Sequence, residues 1–244
     1  FYGLMYVIAL LMGVRIISRE SDRLTLGLSR EQISNYSTCA LIFGIIGARI
    51  YYVVFNWSYY GQNLMEIPAI WHGGLAIHGG VLAGFLFTFW YVKNREVSLL
   101  RFGDAVAPAL ILGQVFGRFG NFMNGDAHGT VRWLPWGIVF PPESIAGQEF
   151  PGQAIHPTML YELLLNFCWF WILFGLRKKP HKDGFIAGLY VLLYSVGRFV
   201  VSFFRADSLM LGNLRAAQVI SLILVIVVGF WIIKGRFWVV RQNN

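Results

Sequence analysis

Seven long apolar stretches constrain the fold of this chain more than any other feature. They cover residues 1–17, 33–55, 74–92, 104–122, 158–176, 185–204 and 214–233. A helix needs about 20 apolar residues to cross a hydrocarbon core about 30 Å thick. Only 13% of the 244 residues are charged, whereas a soluble domain usually carries about 25%. The sequence therefore predicts an all-α polytopic membrane protein with seven transmembrane helices, forming a single integral membrane domain over residues 1–244.

The cationic residues predict the orientation of these helices. One set of alternate connections, with the C-terminal tail, holds thirteen of them: Arg19, Arg23, Arg30, Lys93, Arg95, Arg101, Arg177, Lys178, Lys179, Lys182, Lys234, Arg236 and Arg241. The opposite connections hold only Arg132, Arg205 and Arg215. Because cytoplasmic loops carry the excess of Lys and Arg, we expect the N-terminus outside and the C-terminus in the cytoplasm. Topology thus explains the net charge of +8, and we expect no nucleic-acid partner.

The chain begins at Phe1 without an initiator methionine, and we expect a short preceding segment. The first stretch lacks the basic n-region and the cleavage site of a signal peptide. Between the fourth and fifth stretches, residues 123–157 contain five prolines and five glycines. So many prolines and glycines favour a structured loop over a helix, and the predicted topology places this loop on the outer side of the membrane.

The predicted topology brings polar side chains from distant positions to the outer level of the membrane. They are Tyr6, Arg49, His78, Arg118, Asn121, Asn124, His156, Tyr161, Glu162, Arg198 and Arg205. Guanidinium groups match phosphate oxygens bidentately, so arginines at this depth indicate a phospholipid headgroup. The alternatives are that each arginine snorkels to the interface or pairs with Asp126, Glu162 or Asp207. A transporter of anions or anionic lipids is the second functional class.

Glycines and histidines near the third stretch have two interpretations. The spacings Gly80–Gly84 and Gly113–Gly117 are typical of close helix packing in membranes. The paired glycines in residues 72–80 could instead let the backbone approach a ligand. His72 and His78 are six residues apart, a poor spacing for a shared metal, so no metal site is expected. A histidine at this level is a candidate base.

Five segments resemble the prolipoprotein diacylglyceryl transferases. The longest is the stretch GRFGNFMNGDAHG at 117–129, which resembles the family signature. The others are residues 2–6, 71–80, 156–162 and 194–207. They occur in the family's order and span nearly the whole chain.

The resemblance implies an enzyme of the bacterial plasma (inner) membrane with its active site toward the outer leaflet. It would transfer a diacylglyceryl group from phosphatidylglycerol to the lipobox cysteine of a prolipoprotein signal peptide, without a cofactor. Residues that align with family positions important for activity are Tyr6, His78, Arg118, Asn121, Gly129 and Arg198. We expect Arg118 and Arg198 to bind the headgroup, His78 to deprotonate the thiol, and Asn121 with Asp126 to orient the headgroup or hold Arg118.

Two positions depart from the family pattern. Asp126 stands where the signature usually has glutamate, and Ser202 stands where the family usually has a second glutamate. The role of that second carboxylate therefore does not carry over, unless Glu162 or Asp207 supplies it.

Overall fold

The computed structural model describes residues 2–206, 209–212 and 214–239. Its long helices are α1 (Tyr2–Arg23), α2 (Arg30–Phe55), α4 (Ile77–Lys93), α5 (Leu99–Asn124), α7 (Thr158–Leu176), α8 (Phe185–Ser202) and α9 (Ala216–Gly235). Short helices are α3 (Trp57–Tyr60) and α6 (Ile145–Glu149), with 3-10 turns at Leu64–Glu66 and Ile70–His72. Strands β1 (Met210–Leu211) and β2 (Leu214–Arg215) form an antiparallel ribbon. Each predicted apolar stretch is thus helical over most of its length.

Within the described residues, five helices are long and apolar enough to cross a membrane, namely α2, α5, α7, α8 and α9. This helical architecture is that of a polytopic membrane protein. Helix α4 has 17 residues and begins at Ile77, after two glycines with positive φ at 73 and 74. Helix α1 continues six residues past the predicted apolar stretch, and the Arg and Glu residues among them are good helix formers.

The chain forms two compact units. The smaller unit is Ser21–Phe102, and the larger unit is made of Phe1–Glu20 and Gly103–Asn244.

Close packing of α2 on α4 holds the smaller unit together. A Cβ built on Gly47 would lie 2.6 Å from the Gly79 carbonyl oxygen, and one on Gly80 would lie 3.2 Å from the Gly44 carbonyl oxygen. The predicted packing role of Gly80 is therefore confirmed. In the part of the chain that the structure describes, nothing lies within 4 Å of a Cβ at Gly84, Gly113 or Gly117, so the packing prediction is wrong there.

Helices α5, α7 and α8 form the core of the larger unit. Buried apolar side chains from all three helices pack together: Ala107, Ile111, Leu112, Phe170, Leu173 and Ile186. This packing fixes the axial positions of the three helices, and therefore the level of the polar residues near their ends.

A buried carboxylate, Asp104 of α5, caps the N-terminus of α8. Its oxygens accept hydrogen bonds from the backbone N–H groups of Gly184 (2.7 Å) and Ala187 (2.8 Å). Asp104 is only 1% exposed. The first N–H groups of a helix have no partner inside the helix, so this carboxylate stabilises the start of α8.

Asp104→Ala is expected to lower the free energy of unfolding by about 2 kcal/mol, because buried N–H donors then lose their acceptor. Asp104→Asn, which keeps one acceptor oxygen, should cost about half as much. Thermal unfolding in detergent, with the exposed Glu143→Gln as control, measures both changes. Equal midpoints for parent and Asp104→Ala would contradict the capping role.

The segment 125–157 is ordered, as its proline and glycine content predicts. Phe140, Ala146, Ile155 and Met159 form a buried cluster within it and at the start of α7. Residue 129 pairs with 205 in an isolated bridge, so this segment is joined to the chain that follows α8. The ordered segment 125–157 corresponds to the predicted loop of 123–157, except that residues 123 and 124 are the last two of α5. Its location outside the membrane stays a prediction.

Candidate functional site

Three arginines meet one buried glutamate in the larger unit. Glu162 lies in the first two turns of α7 and its side chain is 7% exposed. Its Oε1 is 2.6 Å from Nη1 of Arg198 and 3.5 Å from Nη1 of Arg205, and its Oε2 contacts Nε of Arg118. We call Arg118, Arg198, Arg205 and Glu162 the arginine cluster. It joins α5, α7, α8 and the segment after α8.

The helical core places these groups together. Arg118 is six residues before the end of α5 and Arg198 is four residues before the end of α8, so both lie about one or two turns from a helix terminus. Arg205 is 5% exposed, whereas the side chains of Arg118 and Arg198 are 21% and 24% exposed. The side chains of Arg118 and Arg198 are therefore the more exposed members of the arginine cluster.

Arg118 is also held by a polar chain from its own helix. Its Nη1 donates to Oδ1 of Asn121 (3.1 Å), and Nδ2 of Asn121 donates to Oδ1 of Asp126 (2.7 Å). Residues three apart on a helix are neighbours, which explains the first contact. Gly125 and Ala127, both with positive φ, turn the chain so that Asp126 faces back toward Asn121. This geometry corresponds to one of the two expected roles of Asn121 with Asp126, holding Arg118, and their part in orienting a headgroup stays a prediction.

The electrostatics of the arginine cluster favour a bound anion. Arg118 and Arg198 share a single carboxylate, and a guanidinium carries five N–H donors. Arg118 and Arg198 are two of the three cations on this carboxylate, and positive charge that is not fully paired in a partly buried site is costly. A phosphate oxygen in contact with Arg118 and Arg198 would offset that cost.

A second polar chain adjoins Glu162 in sequence. The indole N–H of Trp136 donates to the Tyr161 hydroxyl (2.8 Å), which is 3.2 Å from Nδ1 of His156. Burial lowers the pKa of His156, and the nearby Arg132 lowers it further. Both effects favour the neutral form of the His156 imidazole, which lies near the end of the segment 125–157.

His78 lies in the smaller unit, at the second position of α4. Its side chain is exposed, and its ring centroid is 6.0 Å from that of Tyr51. His72 pairs instead with Glu66, with 2.8 Å between Nδ1 and Oε2. Among the described residues, no three His, Cys, Asp or Glu side chains are grouped as metal ligands.

The family model described as prolipoprotein diacylglyceryl transferase matches residues 1–234. The chain belongs to this family. A curated relative from Fusobacterium nucleatum, named phosphatidylglycerol–prolipoprotein diacylglyceryl transferase, is 42% identical over 97% of this chain and 94% of its own length. Relatives of the same name from Clostridioides difficile and Staphylococcus haemolyticus are 43% and 42% identical, over 92% and 93% of this chain and 86% and 80% of theirs. The resemblance seen in the sequence is therefore confirmed.

Gly129 of this family member is a close-packing position. A Cβ there would lie 2.5 Å from Cβ of His156 and 2.7 Å from the Phe204 carbonyl oxygen. Its N–H donates to the His156 carbonyl oxygen (3.0 Å). Only glycine fits this junction between the segment 125–157 and the residues after α8. The structure thus gives Gly129 a packing role, and its contact with a substrate stays a prediction.

The position of Ser202 holds no carboxylate in this family member. Ser202 is fully buried, and its hydroxyl donates to the Phe199 carbonyl oxygen (2.6 Å). Its own carbonyl oxygen accepts a hydrogen bond from Arg215. Arg198 contacts Glu162 of α7, so the structure brings this carboxylate to Arg198. Asp207, the other carboxylate considered, lies outside the described residues.

The sequence indicates a functional role for two members of the arginine cluster less clearly than the structure does. Glu162 is one of three alternative partners for the arginines, and Arg205 is counted among the connections. The sequence feature that points to both residues is their predicted position at the outer level of the membrane. The predicted topology brings the start of the fifth apolar stretch and the ends of the fourth and sixth to that level. Tyr6 lies on α1 with its side chain 55% exposed, and its predicted part in substrate binding stays a prediction.

Proposed function

We propose that this chain transfers a diacylglyceryl group from phosphatidylglycerol to the lipobox cysteine thiol of a prolipoprotein, the first step of bacterial lipoprotein maturation. The observation that supports this most is the arginine cluster, in a chain whose relatives carry that enzyme's name. A bond forms between the cysteine sulfur and a glyceryl carbon, and the bond from that carbon to the phosphate oxygen breaks. Glycerol phosphate leaves with the electron pair.

Arg118 and Arg198 bind the phosphate in this proposal. Negative charge grows on the phosphate as the carbon–oxygen bond breaks, so the arginines bind the transition state more strongly than the intact lipid. Glu162 fixes their positions from one side, and Asn121 with Asp126 fixes Arg118 from the other. Little reorganisation is then needed during the reaction. Tyr6 and Gly129 complete the proposed binding residues.

His78 is proposed to accept the thiol proton. A cysteine thiol has a pKa of about 8.5, so only a few per cent is thiolate at neutral pH. Imidazole is a suitable general base at that pH. This assignment rests on the position of His78 in the family-like segment 71–80, together with the exposure of its side chain.

His78→Gln should lower the transfer rate at neutral pH by about 10²–10⁴-fold, the usual contribution of a general base. The loss should shrink as the pH rises toward 9, because the thiol then ionises without help. A pH–rate profile of the parent and the variant measures this difference. Parent-like activity of His78→Gln over the whole pH range would remove His78 from the chemistry.

We also propose the finer topology. All seven long helices would span the membrane, with the N-terminus outside, the C-terminus in the cytoplasm and residues 1–244 in one integral membrane domain. The asymmetry of Lys and Arg between alternate connections supports this orientation. The enzyme would then act at the outer leaflet of the bacterial plasma membrane, with the bilayer, phosphatidylglycerol and the prolipoprotein signal peptide as its partners.

A transfer assay tests the proposed function. Purified protein in detergent is mixed with phosphatidylglycerol and a lipobox peptide, and mass spectrometry follows the peptide. We expect the diacylglyceryl mass on the cysteine peptide and none on the same peptide with serine in its place. No transfer by folded protein that still binds the lipid would contradict the proposal and favour lipid or anion transport.

A further inference from the structure

Arg49 is a buried cation in the smaller unit whose hydrogen bonds, among the described residues, all end on backbone carbonyl oxygens. It lies in α2 and is 6% exposed. Its guanidinium donates to the carbonyls of Glu66 (2.5 Å), Ile67 (2.8 Å), Ala69 (3.3 Å), Gly73 (2.6 Å) and Gly74 (3.0 Å). Its Cζ is also 5.0 Å from the ring centroid of Tyr60. All three guanidinium nitrogens are thus used on a single chain segment.

That segment, residues 66–74, leads directly into α4, and His78 follows it by four residues. Gly73 and Gly74 have φ values of 85° and 76°, in the left-handed region that favours glycine. A Cβ on Gly74 would lie 2.6 Å from Nη1 of Arg49. The backbone therefore approaches the guanidinium as closely as the absence of a side chain allows.

Neighbouring residues of α2 hold the same region. The N–H of Ala76 donates to the Ala48 carbonyl oxygen (3.0 Å). The ring of Tyr51 lies beside that of His78, and a Cβ on Gly79 would collide with Cβ of Tyr51. One turn of α2, residues 48–51, is therefore matched to the first turn of α4.

We propose that Arg49 is a positioning residue for His78. By binding five carbonyls of segment 66–74, it fixes where α4 begins and so where the His78 imidazole is presented. This inference rests on the proposed function, in which His78 takes the thiol proton. Arginine suits this role because its donors are spread over a planar fork, whereas lysine offers three donors from one point.

The packing of α2 on α4 does not depend on Arg49. Gly47, Gly79 and Gly80 make the close helix contacts through their backbones. Variants at Arg49 should therefore keep the smaller unit folded while loosening segment 66–74. Displacement of a reacting group by about 1 Å can cost about 10²-fold in rate.

A double-mutant cycle tests the proposal. Arg49→Gln should lower kcat by about 10²-fold, with the KM for phosphatidylglycerol unchanged within about twofold, and Arg49→Lys should fall between parent and Arg49→Gln. The double variant Arg49→Gln/His78→Gln should be no slower than His78→Gln alone, because both changes remove one function. Arg30→Gln, at an exposed arginine of the same helix, is the control and should match the parent. Multiplication of the two single effects would overturn the proposal.

A second readout separates this inference from the proposed function. The imidazole signals of His78, assigned by their loss in His78→Gln, are followed by NMR in detergent. Arg49→Gln should shift or broaden them, and Arg30→Gln should not. Unchanged His78 signals in Arg49→Gln would overturn the positioning role. Full activity of His78→Gln with shifted signals in Arg49→Gln would instead reject His78 as the base and leave the positioning intact.

Discussion

Replacing Arg118 by alanine is expected to lower kcat/KM for diacylglyceryl transfer by about 10²–10³-fold, the cost of removing one preorganised donor from a developing anion. Arg118 contacts Glu162 and Asn121, yet its side chain keeps 21% of its surface exposed. Arg118 can therefore bind the phosphate while Glu162 and Asn121 fix its position. Arg118→Lys should lose less, about tenfold, because the charge stays and the fork is lost.

The initial rate of mass gain on the lipobox peptide measures these losses. Arg132→Ala is the matched control, since Arg132 is an exposed arginine of the larger unit and its side chain lies outside the arginine cluster. It should react like the parent. A rate for Arg118→Ala within threefold of the Arg132→Ala rate would show that Arg118 does not contact the departing phosphate.

Glu162→Gln is expected to lower the free energy of unfolding by about 3 kcal/mol, because breaking a buried ion pair leaves its partners uncompensated. The loss should be partly reversed by phosphatidylglycerol, whose phosphate replaces the missing negative charge beside Arg118 and Arg198. Uncharged diacylglycerol should not reverse it. Transfer should also slow about 10²-fold, since the arginines lose the group that positions them.

Thermal unfolding in detergent, with each lipid in turn, measures this rescue. The exposed Glu143→Gln serves as control and should resemble the parent under every condition. Equal rescue of Glu162→Gln by phosphatidylglycerol and by diacylglycerol would mean that acyl chains, and not the headgroup, stabilise the protein. Glu162 would then be a structural partner of the arginines with no relation to an anion.

The apolar pattern predicted the helices well and their ends less well. Length and hydropathy report where a chain can be buried in lipid, and a helix can continue beyond that point. Helix α1 does so, and its buried Glu20 contacts Arg177 at the C-terminal end of α7. The late start of α4 at Ile77 depends on backbone angles at Gly73 and Gly74, which hydropathy does not register.

The arginine cluster could be predicted in part. The topology placed Arg118, Arg198 and Glu162 at one level, but it could not choose between pairing and phosphate binding. The structure shows the pairing with Glu162, and the two arginine side chains are 21% and 24% exposed. The contacts of Arg49 could not be predicted, because backbone carbonyls carry no signature in the sequence. The spacing Gly113–Gly117 led to a wrong prediction of close helix packing, because the same spacing also occurs where a glycine has open space beside it.

The arginine cluster is proposed to hold the anionic headgroup of the lipid. Native mass spectrometry of detergent-solubilised protein with increasing phosphatidylglycerol measures this binding directly. Arg118→Ala/Arg198→Ala should raise the Kd at least about tenfold, the effect of losing charge-assisted hydrogen bonds, and Arg132→Ala should leave it unchanged. Equal Kd values for the parent and for folded Arg118→Ala/Arg198→Ala would contradict this proposal.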